Sequence, residues 1–511
     1  MKIGSQNTAH VAPIGSGLAA GIAGPHWRRY TVDRVVWESM ADDLAHGKYV
    51  LIGLWAEQGC VHMGVSDPVA GKAAIATLLT PDGFYPSVAR KHLPALRMER
   101  AIFDLFGIRA DGCPDTRPWL DHGKWPVQTP LAANPAPSKG EVSYKFLPVD
   151  GKGLHQIPVG PIHAGIIEPG HFRFTANGET VVRLEERLGY VHKGVEKLFE
   201  GADIATGAKL AGRISGDSTV AYAYAYACAI EVALGVEAPA RAQGLRALFA
   251  EIERIANHIG DIGAICNDAA FSMMHAHCGI LREETLQLAY ECFGHRLMMD
   301  RIIPGGVAVD ITDAAKVQIM HWTYRIEKRL KALVEVYDNT SSLRDRTDTT
   351  GVVSNELVTL YGSGGYVGRA SGRNFDARKH MAYAPYDVLA FEVPTRSPGD
   401  VNARVWIRIA EVGQSIGLIR QILGRLPDGA LVAPLPDSVQ GEHEGVALVE
   451  GFRGDILIWM RLLDGKIKRC YPRDPSWFHW PLLEVAIKGN IVADFPLCNK
   501  SFNCSYSGHD L

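Results

Sequence analysis

The sequence predicts an α+β protein in two parts: a small α/β N-terminal domain, then a large, mainly helical domain carrying a small sheet. Three observations predict it. Beyond residue 240, three long stretches repeat apolar residues at helical spacing. The region 27–126 mixes a continuous apolar run with short helical patterns. Between the two lies Pro126–Gly140 (PVQTPLAANPAPSKG), with four prolines in fifteen residues, a composition that suits a stiff linker. The expected organisation is a mobile Gly/Ala/Ser-rich tail at 1–26, an α/β domain at 27–126, a proline-rich linker at 127–158 and the large domain at 159–511.

Taken in order, Tyr49–Trp55 (YVLIGLW) is expected to be a strand, and Val69–Leu79 a helix with Asp67 as its cap and Pro68 at its start. Met98–Phe106 predicts a helix that stops at Gly107. Strands are expected at His171–Phe174 and Thr180–Leu184, joined at the Asn177-Gly178 turn signal. Leu245, Leu248, Phe249, Ile252, Ile255, Ile259 and Ile262 form one apolar stripe. Asp313–Tyr337, with Thr312 as cap, and Asn402–Leu426 repeat that pattern.

The chain has 511 residues, 47% of them hydrophobic and 21% charged, with a net charge of −3. That length supports a full core without staples. The charge argues against a nucleic-acid partner, and the apolar content argues against disorder. Val11–Ala23 and Thr219–Ile230 are too short or too rich in small residues to cross a bilayer, and no signal peptide is evident. A cytoplasmic protein is therefore expected. The nine cysteines are odd in number, scattered and without a C-x-x-C pair, so reduced thiols are expected rather than a cysteine-held metal site.

Gly15-Ser16-Gly17 and Gly362-Ser363-Gly364-Gly365 lack the strand–loop–helix context of a dinucleotide site and are read as loops. His275-Ala276-His277-Cys278 offers metal-ligand types, but helical residues two apart face different ways, which disfavours a metal site. Glu196 and Arg453 sit in sharply punctuated segments, HKGVEK and EGFRGD. By composition alone each is a solvated charge or an ion-pair member.

Arg97–Pro126 (RMERAIFDLFGIRADGCPDTRPWLDHGKWP) resembles the signature of the small peripheral-arm subunit of respiratory complex I. It is also similar to the N-terminal domain of formate hydrogenlyase-type hydrogenase large subunits. Gly160–Glu200 (GPIHAGIIEPGHFRF…GYVHKGVEKLFE) resembles the start of the nickel–iron hydrogenase large subunit and of the quinone-site subunit of complex I. The resemblance continues through EIERIANH (251–258), GRASGRNFDARKHMAYAPYD (368–387), EGFRGD (450–455) and 475–494, covering residues 30–511 in order. It implies a hydrogenase-large-subunit-like fold for the second domain.

Departures from both families shape the expected chemistry. The resemblance places the four thiolate ligands of the nickel–iron centre at Ser215, Ser218, Ser505 and Gly508. A protonated hydroxyl is hard and cannot replace a bridging thiolate. The resemblance therefore implies no metal bound by this chain and no hydrogen activation. In the complex I family a His and a Tyr contact the quinone; the corresponding positions here are Ile167 and Gly216, with His171 and Tyr222 as candidate substitutes. Retained positions are Glu196, matching a proton-relay glutamate, Arg453, matching an arginine that points into the metal cavity, and His163, His192, Asp376 and Arg378 as polar cavity or quinone-region residues. A buried set of this kind suits proton transfer or switching, and equally an inherited structural network.

The resemblance thus implies a peripheral subunit on the cytoplasmic side of the inner membrane, in a complex I-like NADH/quinone or formate hydrogenlyase-related oxidoreductase. Its implied partners are a hydrogenase-type small iron–sulfur subunit holding the cluster, a ferredoxin-like subunit and antiporter-like membrane subunits. Electron transfer, with quinone as a candidate acceptor, would be coupled to proton or ion translocation. A redox-inactive scaffold in the same assembly is the alternative.

Overall fold

The computed structural model describes residues 27–67, 71–138, 140, 143–164 and 167–511. The chain divides into one compact unit running to Tyr144 and a second from Lys145 to Leu511. The expectations for the tail and for Gly15-Ser16-Gly17 lie outside the described residues.

In the first unit, β1 (Trp27–Val32) leads into α1 (Arg34–Ala45), whose start is capped by the Asp33 carboxylate accepting from Val36 N. Strands β2 (Val50–Glu57), β3 (Cys60–Asp67) and β4 (Lys72–Leu79) follow. The sheet order is β1-β4-β3-β2, with β1 parallel to β4 and the other pairs antiparallel. The strand expected at 49–55 is β2.

The helix expected at 69–79 is instead β4, and Asp67 ends β3 opposite Lys72 rather than capping a helix. Lys72–Leu79 (KAAIATLL) pairs on both edges, and its core is buried on both faces. Such a strand shows a continuous apolar run, which cannot be told from a helix by periodicity when alanine is frequent. Residues 68–70 lie outside the described set.

Helix α2 (Leu96–Phe106) ends at Gly107 in the left-handed region, as the sequence predicts. It also explains the charged residues of its segment. The Glu99 carboxylate accepts from Ser87 Oγ at 2.7 Å and Val88 N at 2.6 Å, and Asp104 accepts from the backbone of Trp119 and Leu120. These carboxylates hold loops in place.

The second unit opens with an antiparallel sheet of β5 (Leu154–Val159), β6 (His171–Asn177) and β7 (Thr180–Arg187), turning at Gly178. The first of these strands lies inside the stretch read as linker. The short helix α3 (Val195–Phe199) and α4 (Ile204–Ala211) precede the core helices α5 (Thr219–Leu234), α6 (Ala240–Asp268), α7 (Ser272–Phe293) and α8 (Asp313–Asp338). Thr312 caps α8 by accepting from Ala315 N at 3.1 Å, as predicted. After α9 (Gly365–Ala370), α10 (Val401–Arg425) packs on α6 and supplies the third long helix.

A second antiparallel sheet, β8 (Glu442–Glu450), β9 (Asp455–Leu463) and β10 (Lys466–Arg473), packs against α5, whose alternating Tyr and Ala residues are buried. The helices α11 (Ser476–Ala486), α12 (Phe495–Phe502) and α13 (Tyr506–Asp510) finish the chain.

Candidate functional site

The turn between β8 and β9 carries Arg453. Its tight geometry depends on glycine: a Cβ on Gly365, which has φ +62°, would sit 1.8 Å from the Arg453 carbonyl. The loop reading holds for Gly362–Gly364, while Gly365 opens α9, and the segment's role is close approach to this turn. From below, Arg254 donates to the carbonyls of Glu450 and Gly451, each at 2.8 Å.

So held, the Arg453 guanidinium reaches Asp217, with Nη1 to Oδ1 at 2.8 Å, and also Ser218 Oγ at 3.1 Å and the Asn503 carbonyl. Burial opposes ionisation of Asp217, but Arg453 and the hydroxyls of Ser215 and Ser218 overcome it and hold its carboxyl below the ordinary value. Ser215 and Ser505 are 290 residues apart, yet their hydroxyl oxygens lie 2.8 Å from each other. Gly508 N donates to the Ser505 hydroxyl at 2.9 Å.

The positions aligned with metal ligands thus converge, but they do not fit a nickel–iron centre. The Ser215 and Ser505 hydroxyls are engaged with each other, and the Ser218 hydroxyl with Asp217 and Arg453. At Gly508 a Cβ would stand 2.5 Å from an Asp474 carboxylate oxygen, so the space for a fourth side chain is occupied. The nearby thiol is Cys504, in the wall of the cleft.

These residues border a cleft of about 330 Å³ lined by Ile167, Glu168, Ser215, Gly216, Asp217, Arg453 and parts of 499–507, including Lys500, Asn503 and Tyr506. It is polar and presents donors from serine, asparagine, lysine and arginine beside the accepting carboxylates of Glu168 and Asp217. Beneath it, Asn257 donates to the Asp217 carbonyl at 2.8 Å. One turn away on α6, Glu253 accepts from Val220 N and Ala221 N, and burial pushes its carboxyl up to about 8 against those hydrogen bonds.

Of the residues singled out from sequence, Arg453, the replaced ligand positions Ser215 and Ser505 and the replaced quinone-contact positions Ile167 and Gly216 line this cleft, with Ser218 on Arg453 and Gly508 on Ser505. Glu196 is buried on α3 in an ion pair with Arg469. His163 Nε2 lies 2.7 Å from the Gly170 carbonyl, and His192 Nδ1 lies 2.7 Å from the Asp510 carbonyl. The proposed substitutes do not reach the cleft lining: His171 bonds the Gly160 carbonyl, and Tyr222 is fully buried with its hydroxyl 2.6 Å from Asp474.

Asp376 and Arg378 belong to a separate buried network. Arg378 clasps Asp376 at 2.7 Å and reaches Glu251 at 2.9 Å, while Arg369 joins Asp376, Glu411 and Glu450, and His258 meets Glu411 at 2.7 Å. Burial disfavours the Glu251 charge, but Arg378 and Arg254 win and hold its carboxyl at about 2. Glu450 is displaced upward by burial and by its neighbour Asp376. The network underlies the Arg453 turn through Arg254 and Glu450. Asp217 and Glu253 escaped the sequence reading, although Asp217 sits between two replaced ligands and Glu253 lies inside EIERIANH. The residues His275 and His277 are exposed on α7 while Cys278 is buried.

The two-unit architecture, and a cleft built where a hydrogenase-like body would hold its metal, define a subunit class of multisubunit oxidoreductases. Residues 268–444 match the model of the respiratory-chain NADH dehydrogenase 49 kDa subunit, and residues 68–138 match that of the 30 kDa subunit. Formate hydrogenlyase subunit 5 of Escherichia coli (strain K12) is 30% identical over 444 residues, covering 83% of this chain and 77% of that protein. The carbon monoxide-induced hydrogenase of Rhodospirillum rubrum is 32% identical, covering 68% of this chain and 97% of that protein. An NADH-quinone oxidoreductase subunit of Desulfotalea psychrophila is 31% identical, covering 66% of this chain and 91% of that protein.

The chain belongs to this family of complex I-like and hydrogenase-type subunits, and it carries a match to the 30 kDa model and a match to the 49 kDa model in one polypeptide. It is a complex I-like peripheral-arm subunit of an oxidoreductase assembly. Among the described residues no helix is long and apolar enough to cross a membrane.

Proposed function

We propose that this chain docks on the cytoplasmic face of a membrane-bound, complex I-like assembly and that its cleft receives a quinone headgroup in place of a metal centre. Two electrons arrive from an iron–sulfur cluster in a hydrogenase-type small subunit, and two protons complete reduction of the quinone to the quinol. Arg453 and Lys500 stabilise negative charge as it develops on the quinone oxygens. Glu253, which keeps its proton near neutrality, supplies a buried acid one helical turn from the cleft wall. Ferredoxin-like and antiporter-like partners deliver electrons and carry the coupled ions.

The observation that carries this reading is the open, donor-lined cleft standing where hydroxyls and a glycine occupy the ligand positions. A redox-inactive scaffold is the second reading. It is favoured by the closure of Glu196 on Arg469 and of Ser215 on Ser505, since groups satisfied internally need no substrate. Quinone-dependent turnover of the intact membrane complex separates the two. Arg453→Lys should raise KM for a water-soluble quinone and lower kcat at least tenfold. Absence of quinone reduction in the unmodified complex, or kinetics unchanged by that substitution, sinks the quinone reading.

A further inference from the structure

At the far end of the β2–β3 hairpin of the first unit, Glu57, Cys60 and His62 converge across a two-residue turn, Gln58-Gly59. Glu57 and Cys60 are each 7% exposed and His62 is fully buried. The three potential ligand atoms lie within 4.8 Å of one another. The separations are 3.2 Å for Glu57 Oε1 to His62 Nε2, 3.4 Å for Cys60 Sγ to Glu57 Oε1 and 3.6 Å for Cys60 Sγ to His62 Nε2. Tetrahedral zinc, with bonds of about 2.0–2.3 Å to these donor types, places its ligand atoms about 3.3–3.6 Å apart. The triangle therefore has the edge lengths of a tetrahedral face.

We propose that Glu57, Cys60 and His62 form a binding site for a thiophilic divalent cation of the zinc class. Two features beyond the distances fit it. The carboxylate and the thiolate together supply two negative charges to a divalent cation at a nearly dry position beside the Arg29 guanidinium. On the far side of the imidazole, His62 Nδ1 lies 2.9 Å from Thr77 Oγ1, the kind of outer partner that orients a metal-bound histidine.

Without a cation the trio is a hydrogen-bonded cluster. The thiol donates to Glu57, and the Arg29 guanidinium lies 3.3 Å from His62 Nδ1, an arrangement that puts the ring proton on Nε2. Binding releases the thiol proton to solvent and moves the ring proton from Nε2 to Nδ1, where Thr77 accepts it and the Arg29 guanidinium gives up its contact with the ring. One proton leaves for each cation bound, and no electron is transferred. The resulting cross-link would pin the end of the β2–β3 hairpin.

The test uses the purified full chain, stripped with a chelator and titrated with Zn(II) against a chromophoric competitor. One zinc per chain is expected, with affinity rising about tenfold per pH unit below the thiol pKa. Co(II) in its place should show a thiolate-to-cobalt charge-transfer band. Cys60→Ser and His62→Gln should each lose the band and weaken zinc binding at least a hundredfold, whereas Cys113→Ser should leave both unchanged. Circular dichroism of each variant verifies folding. If Cys60→Ser misfolds, alkylation of Cys60 in the native chain, blocked by prior zinc, gives the same answer. Failure of the wild-type chain to bind one zinc, or binding that survives both substitutions, overturns the site.

Discussion

Glu253 shows what a single buried carboxyl does to stability. Its folded pKa, about 8, lies above the ordinary 4.5, so the folded protein binds the extra proton between those values. The contribution of this group to stability is therefore greatest below the unfolded pKa and falls as pH rises toward 8. Glu253→Gln keeps an acceptor for Val220 N and removes the titration. Thermal melts should match the parent at pH 5 and exceed it at pH 8 to 9; equal pH profiles would mean that Glu253 is ionised in the folded state. Gly365→Ala is expected to cost roughly 3 kcal/mol or more, because the new methyl meets the Arg453 carbonyl and the backbone there has positive φ. Denaturant midpoints measure it. At this scale Arg453 was legible only through the family resemblance of EGFRGD, since by composition alone it reads as a solvated charge or an ion-pair member. Asp217 was not, since an acid between two serines announces no partner until residue 453 is folded over it.

At the scale of elements, amphipathic helices were easy to read and buried strands were not. The stripe in α6 and the Thr312 cap of α8 depend on residues a few positions apart, and such local signals survive in one dimension. Strand β4 is specified by its neighbours β1 and β3, and its alanines look helical without them. The same limit hid Glu57, Cys60 and His62: only the hairpin turns residues spaced three and two apart into one cluster, and a search for paired cysteines passes over it. The charged network joining α6, α9 and α10 gives another element-scale expectation. Arg378→Met leaves Asp376 and Glu251 buried with fewer counter-charges, and should destabilise the chain by about 3–5 kcal/mol. Loss of one partner should also loosen the Arg453 turn, seen as faster amide exchange at 451–454. A stable variant with unchanged exchange would show that the network is dispensable.

For the whole molecule, the order of family segments along the chain carried the architecture, and the division at Tyr144 separates the two units. Chemistry was less legible, because it depends on what fills the cavity between distant segments. Sequence named the ligand positions; folding shows Ser215 and Ser505 bonded to each other and Asp474 occupying the space beside Gly508. Metal analysis of the purified complex should accordingly find no nickel in stoichiometric amount with this subunit. Photolabelling tests most directly whether the cleft is a quinone pocket. An azido-quinone irradiated with the intact complex should label residues 215–217 and 499–507, and excess unlabelled quinone should suppress that labelling. Label confined to other subunits, or label here that quinone does not suppress, would contradict the account.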